Sequence, residues 1–285
     1  MPPAQQIRTY ENGRLVWYRQ AANAAYWDRH WRLQATRDAY RAAERGRLGV
    51  LERPIHRWLP PEGRVLEAGC GLAHHVVALR QRGWDAEGVD FAMETIDAVR
   101  AIWPDLPVQV GDVTRLDVPA NTYSGYISLG VMEHCVDGPA TFLSEAWRVL
   151  RPGGLAFISV PHLHPLRKLK VHLGCFPRNP QCAEPPEPAV TEEPSQVLQF
   201  YQYAFTVPEF CALVQNAGFR VLDVSCYDGL KGIADEIYGA RLVLKVLQRI
   251  PLAGGLLRHW LRSCRLGHML LVVCQKADAG ARRAA

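Results

Sequence analysis

One stretch constrains the fold of this chain more than any other, the run Val65-Leu66-Glu67-Ala68-Gly69-Cys70-Gly71. Its first residues indicate a buried strand that ends on an acid, and a Gly-x-Gly turn follows. A helical pattern of apolar residues then begins at Val76. Glycine suits such a turn because it adopts unusual backbone angles and lets a ligand lie against bare backbone. A strand, a glycine turn and a helix in this order open the nucleotide-binding half of a doubly wound α/β domain.

The next two predicted strands also end on acids. Residues 86–90 end in Asp90, which lies 19 positions after Gly71, and residues 108–112 end in Asp112. An acid at the end of the second strand can accept hydrogen bonds from both hydroxyls of a bound ribose. A nicotinamide-dependent oxidoreductase is a weaker interpretation, because His74 stands where its Gly-x-Gly-x-x-Gly fingerprint needs the final glycine.

Strand and helix patterns alternate through the middle of the chain, which predicts a parallel sheet with helices on both faces. We place helices at about 73–83, 92–102 and 138–150, and further strands at about 124–130, 154–160, 219–224 and 268–275.

Two more motifs follow in order, Tyr126-Ile127-Ser128-Leu129-Gly130-Val131-Met132-Glu133-His134 and Glu145-Ala146-Trp147-Arg148-Val149-Leu150-Arg151-Pro152-Gly153-Gly154. With them the chain resembles the class I S-adenosylmethionine-dependent methyltransferases, most of all their small-molecule branch. The resemblance covers residues 60–161 closely and 204–228 loosely. It implies a Rossmann-like α/β fold with a doubly wound, seven-stranded, mostly parallel sheet and one antiparallel edge strand. It also implies S-adenosyl-L-methionine as the cofactor.

The resemblance also implies a set of cofactor-binding residues. Asp90 would bind the ribose hydroxyls and Asp112 the adenine amino group, while the floor near the sulfonium would come from the end of the fourth strand. The full predicted set is Glu67, Gly69, Cys70, Gly71, Asp90, Phe91, Asp112, Val113, Leu129 and Gly130. The chain departs from the family's pattern at Ala73, where a third glycine is usual. We expect helical backbone angles there, which would suit alanine.

Methyl transfer requires an acceptor atom held in line with the departing sulfur, with water excluded. A hydroxyl acceptor benefits from a general base, whereas an amine or an activated carbon can react without one. We predict His134, at the end of the fourth strand, as the main candidate base, and His162 and His164, after the fifth strand, as further candidates. All three can equally serve structural roles, and oxygen, nitrogen and carbon acceptors all stay open.

Several histidines and cysteines gather after the fifth strand, namely His162, His164, His172, Cys175 and Cys182. Their spacing matches no compact Cys-x-x-Cys pattern of a zinc site, so we expect no bound metal. The eight cysteines are scattered, and we recognise no signal peptide. We therefore expect reduced thiols in a cytoplasmic protein.

The charge and hydropathy of the sequence indicate which classes of partner the protein can bind. The net charge is +5, but 28 acidic residues are mixed with 33 basic ones, and no dense basic stripe of a nucleic-acid-binding protein is present. No run of about 18 apolar residues predicts a membrane-spanning helix. Arg241, Lys245 and Arg249 recur every four residues beside apolar neighbours. That helix could rest on an anionic membrane or simply cover the sheet, so peripheral membrane contact through 237–262 stays an open alternative.

We divide the chain into a helical, aromatic N-terminal cap (1–60), a methyltransferase domain (61–276) and a disordered tail (277–285). Two insertions interrupt the domain, a proline-rich lid or loop at 162–203 and an amphipathic helical segment at 229–267. Trp27 and Trp31 lie four positions apart, so they share a helical face that either covers the ligand or packs in the core.

From these features we expect an enzyme that transfers a methyl group by in-line displacement to a small-molecule or lipid-linked acceptor. The alternative is a binding or regulatory protein that keeps this fold without catalysing methylation.

Overall fold

The computed structural model describes residues 6–19, 22–32, 34–176, 198–237 and 265–277. A seven-stranded sheet forms its centre. Numbered along the chain and given in spatial order, its strands are β5 (Val108–Val110), β4 (Asp85–Asp90), β3 (Arg64–Ala68), β6 (Tyr123–Leu129), β7 (Leu150–Pro161), β10 (Met269–Lys276) and β9 (Phe219–Tyr227).

The strand directions confirm the predicted fold class. Strands β3 to β7 pair in parallel, whereas β10 runs antiparallel to both of its neighbours. The antiparallel strand therefore lies one place in from the edge, which β9 occupies. Parallel pairing brings the carboxyl ends of β3, β4 and β6 to one side of the sheet, where open α/β sheets bind their ligands.

Helices cover both faces because each buries one apolar stripe against the sheet. The first face carries α2 (Glu52–Trp58), α3 (His74–Gln81) and α4 (Met93–Ile102), with Ile55, Val76 and Ile96 fully buried in its core. The second carries α5 (Ala140–Val149) and α7 (Val207–Asn216), which contribute Leu143 and Phe210. The predicted helices at 73–83, 92–102 and 138–150 are confirmed to within two residues at each end.

The prediction of a helical segment over residues 1–60 is wrong for residues 7–19. This stretch forms β1 (Ile7–Glu11) and β2 (Arg14–Arg19), which join β8 (Gln199–Ala204) in a separate three-stranded antiparallel sheet. Asn12 and Gly13 both adopt positive φ angles, 48° and 83°. A two-residue turn of that kind favours a hairpin. Helix α1 (Ala24–Arg32) follows the hairpin.

Both predicted insertions contain regular structure within the described residues. The 162–203 segment begins with α6 (Pro165–His172) and ends with β8, so its ends are not structureless. The 229–267 segment begins with α8 (Gly229–Ala234). The centre of the first insertion (177–197), the basic helix face at Arg241, Lys245 and Arg249, and the tail from 278 onward lie outside the described residues. Among the helices that the structure describes, none has the length and apolar character needed to cross a membrane.

Candidate active site

The glycine turn after β3 has the bare, tightly bent backbone that its sequence predicts. Gly69 and Gly71 adopt φ angles of 77° and 48°. The N–H groups of Gly69 and Cys70 donate to the carbonyl of Val89 at 2.8 and 3.0 Å, which ties the turn to β4. A Cβ atom on Gly69 would lie 2.4 Å from Cγ2 of Val131, so only glycine fits there without movement.

Ala73 does not have the helical backbone that we expected. Its φ and ψ are 55° and 30°, the left-handed conformation, and it caps the start of α3. That conformation costs an L-residue about 1–2 kcal/mol, which glycine avoids. The third glycine that is usual in this motif therefore avoids the strain of a left-handed backbone, and this chain adopts that backbone conformation with alanine.

Asp90 ends β4 beside this turn. Its Oδ2 accepts a hydrogen bond from the N–H of Gly71 at 2.8 Å, and its Oδ1 accepts one from the N–H of Ala92 at 3.0 Å. Burial raises the pKa of Asp90, although the two backbone hydrogen bonds oppose that shift. Each carboxylate oxygen has two acceptor sites, so one on each oxygen is left for a ribose hydroxyl.

The predicted adenine contacts lie after the ends of β4 and β5. Asp112 is exposed, and its Oδ1 accepts hydrogen bonds from the backbone N–H and the hydroxyl of Thr114 at 2.8 and 2.7 Å. Phe91 is 44% exposed although it is a large apolar side chain, and Val113 is buried. Phe91 and Asp112 follow the neighbouring parallel strands β4 and β5, and an exposed aromatic ring together with a carboxylate suits a flat, polar-edged base.

Glu67 holds the start of α3 in place. Its Oε1 lies 2.8 Å from Nδ1 of His75, and its Oε2 accepts a hydrogen bond from the N–H of Val76 at 3.2 Å. Burial of the His75 ring acts to lower its pKa, but the attraction of Glu67 outweighs burial and raises it. Glu67 thus joins the strand end to the helix that follows the turn.

Helix α1 lies across the glycine turn. A Cβ on Gly71 would meet the ring of Trp31 at 3.3 Å, and the ring centroid of Trp27 lies 5.2 Å from that of His134. A cavity of about 300 Å³ lies between α1 and α4, with Leu72 and Thr95 among its lining residues. A larger cavity of about 1130 Å³ follows the edge strand β9, and neither cavity has a predicted site residue in its lining. Helix α1 lies over the predicted site because Trp31 covers Gly71 and Trp27 contacts His134.

Leu129 and Gly130, the predicted floor of the cofactor site, lie at the end of β6. Leu129 is half-buried, and Gly130 has a φ of 73° and donates its N–H to the carbonyl of Ser159 at 3.0 Å. A Cβ on Gly130 would lie 3.4 Å from Oε1 of Glu133. This predicted floor therefore borders directly on an acidic side chain.

His134 is positioned by a short contact with β8. Its Nδ1 lies 2.6 Å from the carbonyl oxygen of Tyr201, which can only accept, so Nδ1 carries the proton. Burial lowers the pKa of His134 to about 4, which keeps the ring neutral. Its Nε2 makes no hydrogen bond within the described part of the chain and is left as a proton acceptor.

Glu133 is a site residue that the sequence analysis did not select. Its side chain is buried, and within the described residues its Oε2 has no hydrogen-bond partner. Burial raises the pKa of Glu133 to about 8, and its Oε1 lies 4.0 Å from Nε2 of His134. The only signal in the sequence is an acid directly before the histidine, and burial, which gives that acid its chemistry, depends on the tertiary fold.

His162 and His164 belong to a buried polar cluster around Arg167. Both histidine side chains are buried, and burial lowers their pKa values to about 4 and about 3. Arg167 donates to Glu236 at 2.9 Å and to the carbonyl of His162 at 2.8 Å, and it contacts Nδ1 of His268 at 3.0 Å. This burial favours a structural role for both histidines over the catalytic one predicted from the sequence.

The remaining metal-type residues give no site within the described ranges. No group of three or more His, Cys, Asp or Glu side chains there is arranged to hold a metal ion. His172 and Cys175 are exposed, and Cys182 lies outside the described residues. The six described cysteines are all free thiols.

Comparison with protein families identifies the type of domain in the middle of the chain. Residues 66–158, from β3 to β7, match the family model described as a methyltransferase domain. Residues 66–158 thus match a methyltransferase domain and are similar to the class I S-adenosylmethionine-dependent methyltransferases. This confirms the resemblance inferred from the motifs, with S-adenosylmethionine as the family's cofactor.

Curated relatives of this methyltransferase domain align over the same part of the chain. A probable S-adenosylmethionine-dependent methyltransferase of Mycolicibacterium smegmatis is 34% identical over 113 residues, 40% of this chain and 43% of the relative. A malonyl-[acyl-carrier protein] O-methyltransferase of Serratia marcescens is 31% identical over 99 residues, 35% of this chain and 38% of the relative. The chain therefore spans less than half the length of these relatives.

Solved structures share the methyltransferase fold over most of the chain. A chain from the complex between the Haloferax volcanii Trm112 methyltransferase activator and the putative methyltransferase matches with a TM-score of 0.55 at 17% identity. The match covers 88% of this chain and 97% of that chain. At this identity the likeness speaks for the fold alone.

Proposed function

We propose that this protein is an S-adenosylmethionine-dependent methyltransferase that transfers a methyl group, by in-line displacement, to a small-molecule or lipid-linked acceptor. The observation that carries the proposal is the contact between the Gly71 N–H and Asp90. It fixes the carboxylate at the mouth of the glycine turn with one acceptor site left on each oxygen. That is the arrangement an adenosine ribose requires beside bare backbone.

When bound, S-adenosylmethionine supplies a methyl group already activated by a sulfonium. The residues proposed to hold it are the turn from Gly69 to Gly71, Asp90 for the ribose, and Asp112 with Phe91 and Val113 for the adenine. Leu129 and Gly130 form the floor beneath the methyl group. The fit is supported by the unused acceptor sites of Asp90 and Asp112 and by the exposed ring of Phe91.

Helix α1 excludes water from the reacting atoms in this proposal. Trp31 lies on the glycine turn and Trp27 contacts His134, so the two tryptophans span from the cofactor side to the acceptor side. Exclusion of water strengthens the electrostatic interactions inside such a site. Nε2 of His134 is the proposed proton acceptor for a hydroxyl substrate.

The acceptor class has limited support from relatives. One relative is named for methylating malonyl-[acyl-carrier protein], a small carboxylic acid on a carrier. A lipid-linked acceptor would bring the protein to a membrane surface, and the amphipathic sequence at 237–262 supports that contact as a proposal. This segment begins at the last residue of the 198–237 range, and the rest lies outside the described residues.

Calorimetric titration with S-adenosylhomocysteine tests the proposal. Wild type should bind in the micromolar range, and Asp90→Ala should remove that binding. Asp85→Ala is the matched control, because Asp85 lies at the other end of the same strand and is largely exposed. Normal binding by Asp90→Ala would refute the assignment of the site. No binding by wild type would favour the alternative of a fold kept for binding or regulation.

A further inference from the structure

The side chains of Tyr26, Trp27, Tyr201 and His134 pack in a closed ring of four. The ring centroids of Trp27 and His134 are 5.2 Å apart, those of His134 and Tyr201 are 4.8 Å, those of Tyr201 and Tyr26 are 5.7 Å, and those of Tyr26 and Trp27 are 5.2 Å. Their interplanar angles run from 70° to 85°, so every contact is edge to face. Such contacts fix the rings and give a rigid aromatic wall.

The charge beside this wall is positive. The guanidinium of Arg19 lies 4.8 Å from the ring centroid of Tyr201. Within the described ranges Arg19 makes no ion pair, and its charge acts to lower the pKa of His134 and of His30 on α1. The other titratable groups against the wall are His30, which packs on Tyr26 and Trp27 and whose pKa burial lowers, Glu133, which burial holds protonated, and the two tyrosines. A cationic acceptor would therefore be repelled, whereas an anionic oxygen would be stabilised.

The base at this wall is weak. With its pKa lowered to about 4, His134 can take a proton efficiently only from an acidic hydroxyl. A phenol, with a pKa of about 10 like that of tyrosine, lies far closer to this range than a water-like hydroxyl at about 15.7. Oε1 of the neutral Glu133 carboxyl, 4.0 Å from Nε2, places an acceptor oxygen toward the imidazolium N–H, which favours the protonated ring.

We propose that the methyl acceptor is a planar aromatic hydroxyl compound, which packs against the wall of Tyr26, Trp27 and Tyr201 with its oxygen between His134 Nε2 and Arg19. This inference rests on the proposed function and specifies its substrate class. Aliphatic alcohols lack both the acidity and the ring, and ammonium acceptors carry the wrong charge.

The chemical step balances without a further reactant. The phenolic proton passes to Nε2 of His134, and the oxygen keeps the electron pair of the O–H bond. That oxygen forms the new bond to the methyl carbon as the methyl–sulfur bond breaks, and the sulfur keeps the electrons of the broken bond. The proton on His134 then leaves to solvent.

Binding of 4-nitrophenol to protein saturated with S-adenosylhomocysteine tests the inference without turnover. This probe absorbs visible light only when ionised, so its spectrum reports the state of the bound oxygen. We expect 4-nitrophenol to bind about ten-fold more tightly than two related probes. These are 4-nitroanisole, which has no hydroxyl proton, and 4-nitroaniline, which is an amine. The bound probe should ionise at a pH at least about one unit below that of the free probe.

Substitution of Arg19 tests its role in binding the phenolic oxygen. Arg19→Gln should weaken binding of 4-nitrophenol about ten-fold and remove the shift in its ionisation. Arg14→Gln is the matched control on the same strand, because Arg14 stacks on Tyr203 and pairs with Glu209 instead. Equal affinity for the three probes, or an unchanged shift in Arg19→Gln, would overturn the acceptor class while leaving the methyltransferase proposal intact. Failure of S-adenosylhomocysteine itself to bind would instead refute the proposed function.

Discussion

The carboxylate of Asp28 accepts hydrogen bonds from both the backbone N–H and the hydroxyl of Thr95, each at 2.9 Å. Thr95 lies in the first turn of α4, where N–H groups have no partner within the helix. A residue of α1 thus caps a helix that begins three positions after Asp90. Closure of α1 over the glycine turn is therefore linked to the strand end that is proposed to bind the ribose.

Replacing Asp28 with alanine should release α1. Loss of a capping carboxylate costs about 1 kcal/mol, so we expect the free energy of unfolding to fall by that amount. S-adenosylhomocysteine should dissociate about five-fold faster, as stopped-flow tryptophan fluorescence can measure. Asp38→Ala is the control, because its exposed pair with Arg41 should contribute little. Unchanged dissociation in Asp28→Ala would show that α1 does not close the site.

Gly69→Ala should lower the free energy of unfolding by about 2–5 kcal/mol. The strain of a positive φ accounts for about 1–2 kcal/mol. The contact of the new Cβ with Val131, at 2.4 Å, adds overpacking of a further 1–3 kcal/mol or so. Gly174→Ala isolates the first contribution, since Gly174 has a φ of 69° and a Cβ added there would meet no described atom within 4 Å. Urea unfolding of both variants measures the difference, and equal losses would mean that Val131 moves without cost.

Much of the central domain can be predicted because its signals are local. The alternation from β3 to β7 and the acids at Asp90 and Asp112 follow directly from strand, turn and helix patterns. The hairpin at Asn12-Gly13 also has a local signal in its turn residues, but the aromatic helix pattern of the residues after it favours a helix for the whole segment. Ala73 cannot be predicted, because its left-handed backbone is imposed by the return from the turn into α3.

The acceptor side depends on contacts between distant residues. His162 and His164 follow β7 and are predicted as candidate bases, yet they lie in a buried cluster where Arg167 binds Glu236 and His268. Those partners lie 69 and 101 positions from Arg167. The pairing of Trp27 with His134 likewise joins α1 to the end of β6. No spacing in the sequence encodes such contacts, so the sequence locates this side of the site without resolving which histidine it contains.

Stability should fall as the pH rises from about 5 to 9, through Glu133. Its folded pKa of about 8 lies above the ordinary value of 4.5, so the native state keeps a proton that the unfolded chain loses in this window. Each pKa unit corresponds to about 1.4 kcal/mol, which makes the loss a few kcal/mol. Glu133→Gln cannot ionise and should flatten this decline in thermal melts.

A second acidic residue provides the control for Glu133. Pairing with Arg148 lowers the pKa of Glu145, so Glu145→Gln should lower stability throughout the range above pH 5 and keep the alkaline decline. The effect of His134 on stability is the opposite. As the pH falls below 6.5, the free energy of unfolding should decrease, because the folded pKa of about 4 makes protonation favour the unfolded chain. Parallel melting curves for wild type and Glu133→Gln would contradict the assignment of a protonated Glu133.

His164→Leu should stabilise the protein without reducing turnover. The His164 side chain is fully buried, and within the described ranges neither ring nitrogen has a hydrogen-bond partner. Removing such unpaired polar atoms should raise the free energy of unfolding by about 1–2 kcal/mol. The gain should be larger at pH 5 than at pH 8, because burial lowers the pKa of His164 to about 3 and the wild type loses stability as the pH falls from about 6.5 toward that value.

His162→Leu is the matched control, since His162 Nδ1 contacts the carbonyl of Gly267 at 3.3 Å and its removal should give a smaller gain or a loss. Urea unfolding at both pH values measures these differences, and a loss of turnover at unchanged stability in His164→Leu would restore the catalytic role predicted from the sequence.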